Sequence, residues 1–240
     1  MFWKFIEIIV RILYFRRFYK AKKIGAAGDL LANGKPEAAL KLLEKHGNSM
    51  HESLLPLFAF TQGKVLEALG RIDEAEKAYQ AVVLTSPSNS RADFELALIA
   101  GKRFDFVECR KWLNRAIDKE DEVIKERATD VLNLLDSIEN GTRETEFKNR
   151  AEELSKRKVT PEDLEIGFPP SLEVIKKWLE SDKEDAVKSI DEIALLFGQA
   201  EVANGGKWKI ALAIDDTVVI KKDSSQYHPF KEAASILGLE

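Results

Sequence analysis

Residues 56–89 read PLFAFTQGKVLEALGRIDEAEKAYQAVVLTSPSN, and how this stretch folds decides the architecture of about half the chain. Gly63 and Ala75 are small enough to let two helices approach closely, and Tyr79 is large enough to fill the seam between them. Gly70 closes the first helix. Pro87 stops the second, because proline lacks the backbone N–H and clashes with the preceding turn.

The pattern returns on both sides, as a repeat architecture requires. A shift of 34 residues lands on Arg91–Lys119, where Ala97, Cys109 and Ala116 take the small positions and Leu113 an apolar one. Upstream, Ala21–His46 gives a weaker copy through Gly34, Ala39 and Leu43, displaced by 36 residues rather than 34. Asp121–Glu139 reads as a capping helix, since the end of a stack needs a polar outer face. On these positions the chain resembles a tetratricopeptide repeat (TPR) protein over roughly residues 20–140.

The resemblance implies a mainly α fold, a TPR-like solenoid of helical hairpins whose first helices line a concave surface that cradles a peptide or partner helix. Carried over onto this sequence, that surface contains Phe60, Lys64, Glu67, Arg91, Phe94, Leu98 and Lys102, with Ile24 and Leu31 from the first copy. Phe60, Phe94 and Leu98 form the expected apolar face, and the charged residues rim it. A client segment or another part of this chain covers such a face. The subgroup that grips a terminal carboxylate needs Lys, Asn and Arg here. Ile24 and Gly28 stand at its first two positions, so chaperone tails are not the expected client.

The N-terminus differs from the repeats. Seven of the 21 aromatic residues fall in the first 19 positions. Residues 1–23 carry seven basic groups against one acidic, a net +6, while the remainder carries 30 basic and 40 acidic, a net −10. An acidic body offers nucleic acid little, because duplex affinity comes largely from phosphate neutralisation. A basic, aromatic tip suits an anionic membrane surface. Residues 1–15 make about 22 Å of helix, short of a roughly 30 Å hydrocarbon core. Glu7 and Arg11 also break the apolar run that a secretory signal would need. The spacing predicts an amphipathic interfacial helix over residues 1–19, with Phe2, Trp3, Phe5, Ile6, Ile9, Leu13, Arg16, Arg17 and Lys20 meeting the membrane. Packing against the protein itself, or against a second copy, is the alternative.

Between residues 142 and 158 ten of 17 residues are charged, so 141–159 reads as an exposed helical linker, with Phe147, Ala151 and Leu154 as a thin apolar stripe. Asn140-Gly141-Thr142 is a glycosylation sequon, which matters only in a secretory compartment. A small α+β module is expected over 160–240. Thr160-Pro161 starts a helix, Gly167-Phe168-Pro169-Pro170 forces a turn, and Ser171 caps the next helix. A longer helix follows from about Lys183. The segment WKIALAIDDTVVIKK then changes period and predicts a two-stranded β-hairpin turning at Asp215-Asp216, apolar on both faces and covered by helices. From Ile190 to Leu237 the order faintly resembles small bacterial domains of unknown function, on Gly205-Gly206-Lys207-Trp208 followed by Pro229-Phe230-Lys231.

No catalytic constellation is legible. His46, His51 and His228 lack metal-ligand spacing, and the lone Cys109 excludes an internal disulfide and a cysteine zinc site. No phosphate loop and no nucleophile elbow occurs. Asp215-Asp216 reads as a solvated turn and Ser224-Ser225…His228 as a capping loop. No cofactor, metal or catalytic residue is therefore assigned. The expected molecule is a bacterial-type, non-enzymatic scaffold that positions a protein partner at the cytoplasmic face of a membrane. The rivals are a soluble homo-oligomer joined through its N-terminal helices, and a small-ligand binder or enzyme using the C-terminal module.

Overall fold

The computed structural model describes residues 2–47, 50–158, 172–181, 190–213 and 216–239, with residues 2–16 and a few later positions described by backbone alone. The chain is mainly helical, with a small three-stranded antiparallel sheet near its C-terminus. It forms two compact units, residues 1–100 with 107–129 and residues 101–106 with 130–240.

The first unit begins with α1 (Phe2–Ala32), one unbroken 31-residue helix, so the expected segment 1–19 is continuous with the first helix of the weakest repeat copy. Its C-terminal part buries Ile24 and Ala27, and α2 (Pro36–Gly47) answers with Ala39, Leu40 and Leu43. Lys20 Nζ donates to the carbonyl of His46 at 2.9 Å, which sets the end of α2 level with Lys20. The 18 residues before it carry α1 about 27 Å beyond that point.

A short 3-10 turn (Glu52–Leu54) leads into α3 (Leu55–Ala68), which pairs with α4 (Ile72–Thr85). Pro56 in the first turn of α3 and Asp73-Glu74 in the first turn of α4 suit helix N-termini. Gly63 packs against the Tyr79 ring, and a Cβ built there would lie 2.5 Å from Tyr79 Cε1. Tyr79, Ala75 and Val82 are fully buried in the seam. The third hairpin, α5 (Ser90–Lys102) and α6 (Phe106–Ile117), buries Ala97, Cys109, Leu113 and Ala116 completely. Asp93, also fully buried, meets Lys119 just past α6, and Arg115 Nε stands 3.6 Å from it.

The turns between the hairpin helices differ at one position. Gly34 and Gly70 close the first two hairpins in the left-handed region, at φ 68° and 71°. At the equivalent place in the third, Phe104 adopts φ 60°. A bulky residue there costs about 1–2 kcal/mol of backbone strain. The ring has its own contacts, with Phe106 at 6.2 Å and under the Lys209 ammonium at 4.0 Å. Phe104→Ala is therefore expected to be less stable than Phe104→Gly by about 1 kcal/mol in urea unfolding, because alanine keeps the strain and glycine removes it. Equal stabilities would mean that the strain is relieved some other way.

The second unit is built from the rest of α7 (Glu122–Glu139) with α8 (Thr142–Lys158), α9 (Leu172–Ser181), α10 (Ile190–Ala203), α11 (Pro229–Leu237) and strands β1 (Lys207–Lys209), β2 (Val218–Ile220) and β3 (Gln226–Tyr227). α8 is no exposed linker: Phe147, Ala151 and Leu154 are fully buried in a core with Ile175, Leu179, Ile193–Phe197 and Phe230. Residues four and three apart share one face, so a helix that is charged on average still docks through a single stripe.

The sheet also departs from the expected two-stranded hairpin. β1 stops at Lys209 because Ile210 and Ala211 turn into the interior, where the Ala211 N–H donates to Thr217 Oγ1 at 3.0 Å. β3 adds a third strand, aligning Trp208, Val219 and Tyr227 across the sheet. Neighbouring Val218 and Val219 point to opposite faces and are both buried, so both faces of β2 are shielded from solvent. The expected features at Thr160–Ser171, the start of the helix near Lys183 and Asp215 lie outside the described residues; Asp216 is exposed.

Candidate functional site

The first helices of successive hairpins bring α3 and α5 together through charge. Lys64 Nζ lies 3.0 Å from Glu67 Oε2 on its own helix and 3.3 Å from Glu95 Oε2 on α5. The Tyr79 hydroxyl donates to Glu67 Oε2 at 3.1 Å. One ammonium thus serves two carboxylates. Burial alone would lower the Lys64 pKa, but Glu95 and Glu67 outweigh it and raise it. Burial, with repulsion from Glu67, raises the Glu95 pKa against the pull of Lys64. Burial and the two carboxylates push the Tyr79 phenol upward as well. Lys64 and Glu67, expected as groove-rim charges, are therefore engaged in an internal tie, and a ligand must compete with it.

The apolar face expected from the repeat register is not contiguous. Phe94 is only 3% exposed, with the Arg127 guanidinium 4.7 Å from its ring centre, so its side chain serves the interior and not a client. Phe60 is half-buried and packs on Tyr79 with ring centres 5.6 Å apart. Leu98 is half-buried, while Arg91 and Lys102 are exposed. Arg91 pairs with Asp121 at 3.4 Å. Asp121 caps α7 by accepting from the Ile124 N–H, and that bond, with Arg91, holds its pKa low. Glu95 and Arg127 were missed. Glu95 follows Arg91 by four residues, so a helical face drawn as 91, 95, 98 and 102 would have found it in place of Phe94.

At the N-terminus Arg17 is exposed, and Phe18 and Tyr19 remain 60% and 44% exposed. Lys20 is half-buried and bonded to the end of α2, a structural duty that its expected membrane role did not anticipate. Phe2, Trp3, Phe5, Ile6, Ile9, Leu13 and Arg16 belong to α1, but their side chains lie outside the described residues. Among the described residues no helix is long and apolar enough to cross a membrane.

In the second unit a groove of about 410 Å³ runs between α8 and α10, lined by Gly141, Glu144, Thr145, Lys148, Gln199, Val202 and Ala203. It holds no histidine, cysteine or serine, and its one hydroxyl, on Thr145, donates to the Gly141 carbonyl at 3.3 Å. Among the described residues no group of three or more His, Cys, Asp or Glu side chains is placed to hold a metal ion. His51 Nδ1 accepts from the Ser53 N–H at 3.2 Å, and Ser225 Oγ donates to Asp223 Oδ1 at 2.6 Å, so both groups stabilise turns. Cys109 is fully buried as a packing residue.

Comparison with known proteins finds no matching family model, no matching curated protein and no matching solved structure.

Proposed function

We propose that this protein is a non-enzymatic scaffold of the tetratricopeptide-repeat type, held at the cytoplasmic face of a membrane by the N-terminal part of α1. A protein or peptide partner binds along the first helices of its hairpins. The observation that carries this reading is the continuity of α1. Its C-terminal part buries Ile24 and Ala27 beside α2, while Arg17, Phe18 and Tyr19 stand exposed where the helix passes beyond the end of α2. A rod that is repeat at one end and basic-aromatic at the other couples a lipid surface to a partner surface without a flexible joint. The partner side rests on Phe60, Leu98, Arg91 and Lys102, the residues of the expected set that keep accessible surface without belonging to the Lys64 tie.

Flotation of the full chain with vesicles tests the membrane half. Binding to phosphatidylcholine vesicles containing phosphatidylglycerol is expected to exceed binding to pure phosphatidylcholine and to fall as salt rises, because salt screens a term of about 1 kcal/mol per basic residue near the surface. Arg17→Glu with Lys22→Glu, both exposed positions, should release the protein; Lys20 is avoided because its change would also loosen the α1–α2 hairpin. Partitioning that ignores anionic lipid would remove this half of the reading. A concentration-dependent dimer without vesicle binding would favour the homo-oligomer instead.

A further inference from the structure

The groove between α8 and α10 carries a polar group that the fold leaves unused. Gln199 lines it from α10 and is only 7% exposed. No hydrogen bond joins its side-chain amide to another described residue. Buried amides are ordinarily paired, and an unpaired one costs stability. Gln199 thus holds an amide donor and a carbonyl acceptor toward the groove. Glu144 and Lys148 line the same groove from α8, four residues apart, and both are exposed. Lys148 acts on Glu152 one turn further along α8, but that carboxylate already takes the Lys156 ammonium at 2.9 Å. Val202 and Ala203 supply the apolar part of the lining.

We propose that this groove binds a short zwitterionic peptide of dipeptide length. The site shares no residue with the partner surface or the basic helix above and depends on neither. Glu144 takes the terminal ammonium and Lys148 the terminal carboxylate, through charge-assisted hydrogen bonds. Four residues of helix advance about 6 Å, and two residues of extended peptide span about 7 Å at most, so the two ends match the two charges. The single peptide unit between them has one N–H and one C=O. Its N–H donates to the Gln199 carbonyl, and its C=O accepts from the Gln199 amide nitrogen. The ligand's side chains meet Val202 and Ala203. The groove volume of about 410 Å³ falls within the range of roughly 300–1,000 Å³ usual for small-molecule sites. A free amino acid carries both charges on one carbon and has no peptide unit, so it satisfies neither the spacing nor Gln199.

The test is calorimetric titration of the full chain with three probes, each raised to about 10 mM: the dipeptide alanyl-leucine, the same dipeptide acetylated and amidated at its ends, and free leucine. The dipeptide is expected to bind at least about tenfold tighter than either of the others. Gln199→Met keeps the length of the side chain and removes its amide. It should weaken dipeptide binding about tenfold and raise the melting temperature by about 2 °C, because an unpaired buried amide is replaced by an apolar group. A glutamine with a purely structural role would instead lower the melting temperature when changed. Lys148→Glu alters an exposed position, so it should leave the melt unchanged and also weaken binding about tenfold. No heat of binding with the dipeptide, equal binding of the capped form, or a Lys148→Glu variant that keeps its affinity overturns the proposal. So does a Gln199→Met variant that binds as tightly as the parent.

Discussion

Tyr79→Ala is expected to destabilise the first unit by about 3 kcal/mol, measured by urea unfolding, because a fully buried ring leaves a void that its neighbours only partly fill. Gly63→Ala should cost about 1–3 kcal/mol for the opposite reason, since the added methyl meets that ring at 2.5 Å. The two effects are coupled. Thirty-four residues later the same positions hold Ala97 and Leu113, both fully buried, so one hairpin has already solved the seam with a larger first residue and a smaller second. Gly63→Ala combined with Tyr79→Leu imports that solution, and the double variant should be more stable than the sum of the singles predicts by about 1–2 kcal/mol. Strict additivity would mean that the equivalence of the hairpins is only apparent.

Lys119→Met is expected to cost about 3–5 kcal/mol, the typical result of removing one partner from a buried ion pair. Asp93 is fully buried and the Lys119 side chain is 15% exposed, so the carboxylate left behind has little water to turn to. Arg115, 3.6 Å away, is 43% exposed and offers only partial compensation. Asp93→Asn added to Lys119→Met removes the orphaned charge and should recover most of the loss. If the single variant unfolds at the parent's urea midpoint, the pair does not hold the start of α5 to the end of α6.

The helix punctuation of the first unit was legible because side-chain size and backbone signals are local. Gly63, Gly70, Ala75, Tyr79 and Pro87 each act through their own size or backbone, and such constraints can be read from one helix at a time. The candidate partner surface was legible only in part. Phe60 and Phe94 occupy equivalent places, and the register shows that both are large and apolar; it does not show how far each rotates toward its hairpin. Phe94 is buried with Arg127 above it, a residue 33 positions away, and Glu95 replaces it on the face shared with Lys64.

What the sequence by itself determined is the helical character, the hairpin punctuation and the split between a basic, aromatic N-terminus and an acidic body. These follow from side-chain volume, backbone preference and charge counted along the chain. Tertiary structure decided which faces are spent. Lys20 reads as a membrane cation until α2 ends beside it and its ammonium takes the His46 carbonyl. α8 reads as a solvated linker until Phe147, Ala151 and Leu154 find the core formed by α9, α10 and α11. The β1 segment reads as a long strand until Ile210 and Ala211 turn inward and Tyr227 supplies a third strand beside Val219. In each case the residue's chemistry was visible, but burial and pairing depend on atoms contributed from elsewhere in the chain, and only the folded arrangement sets those distances.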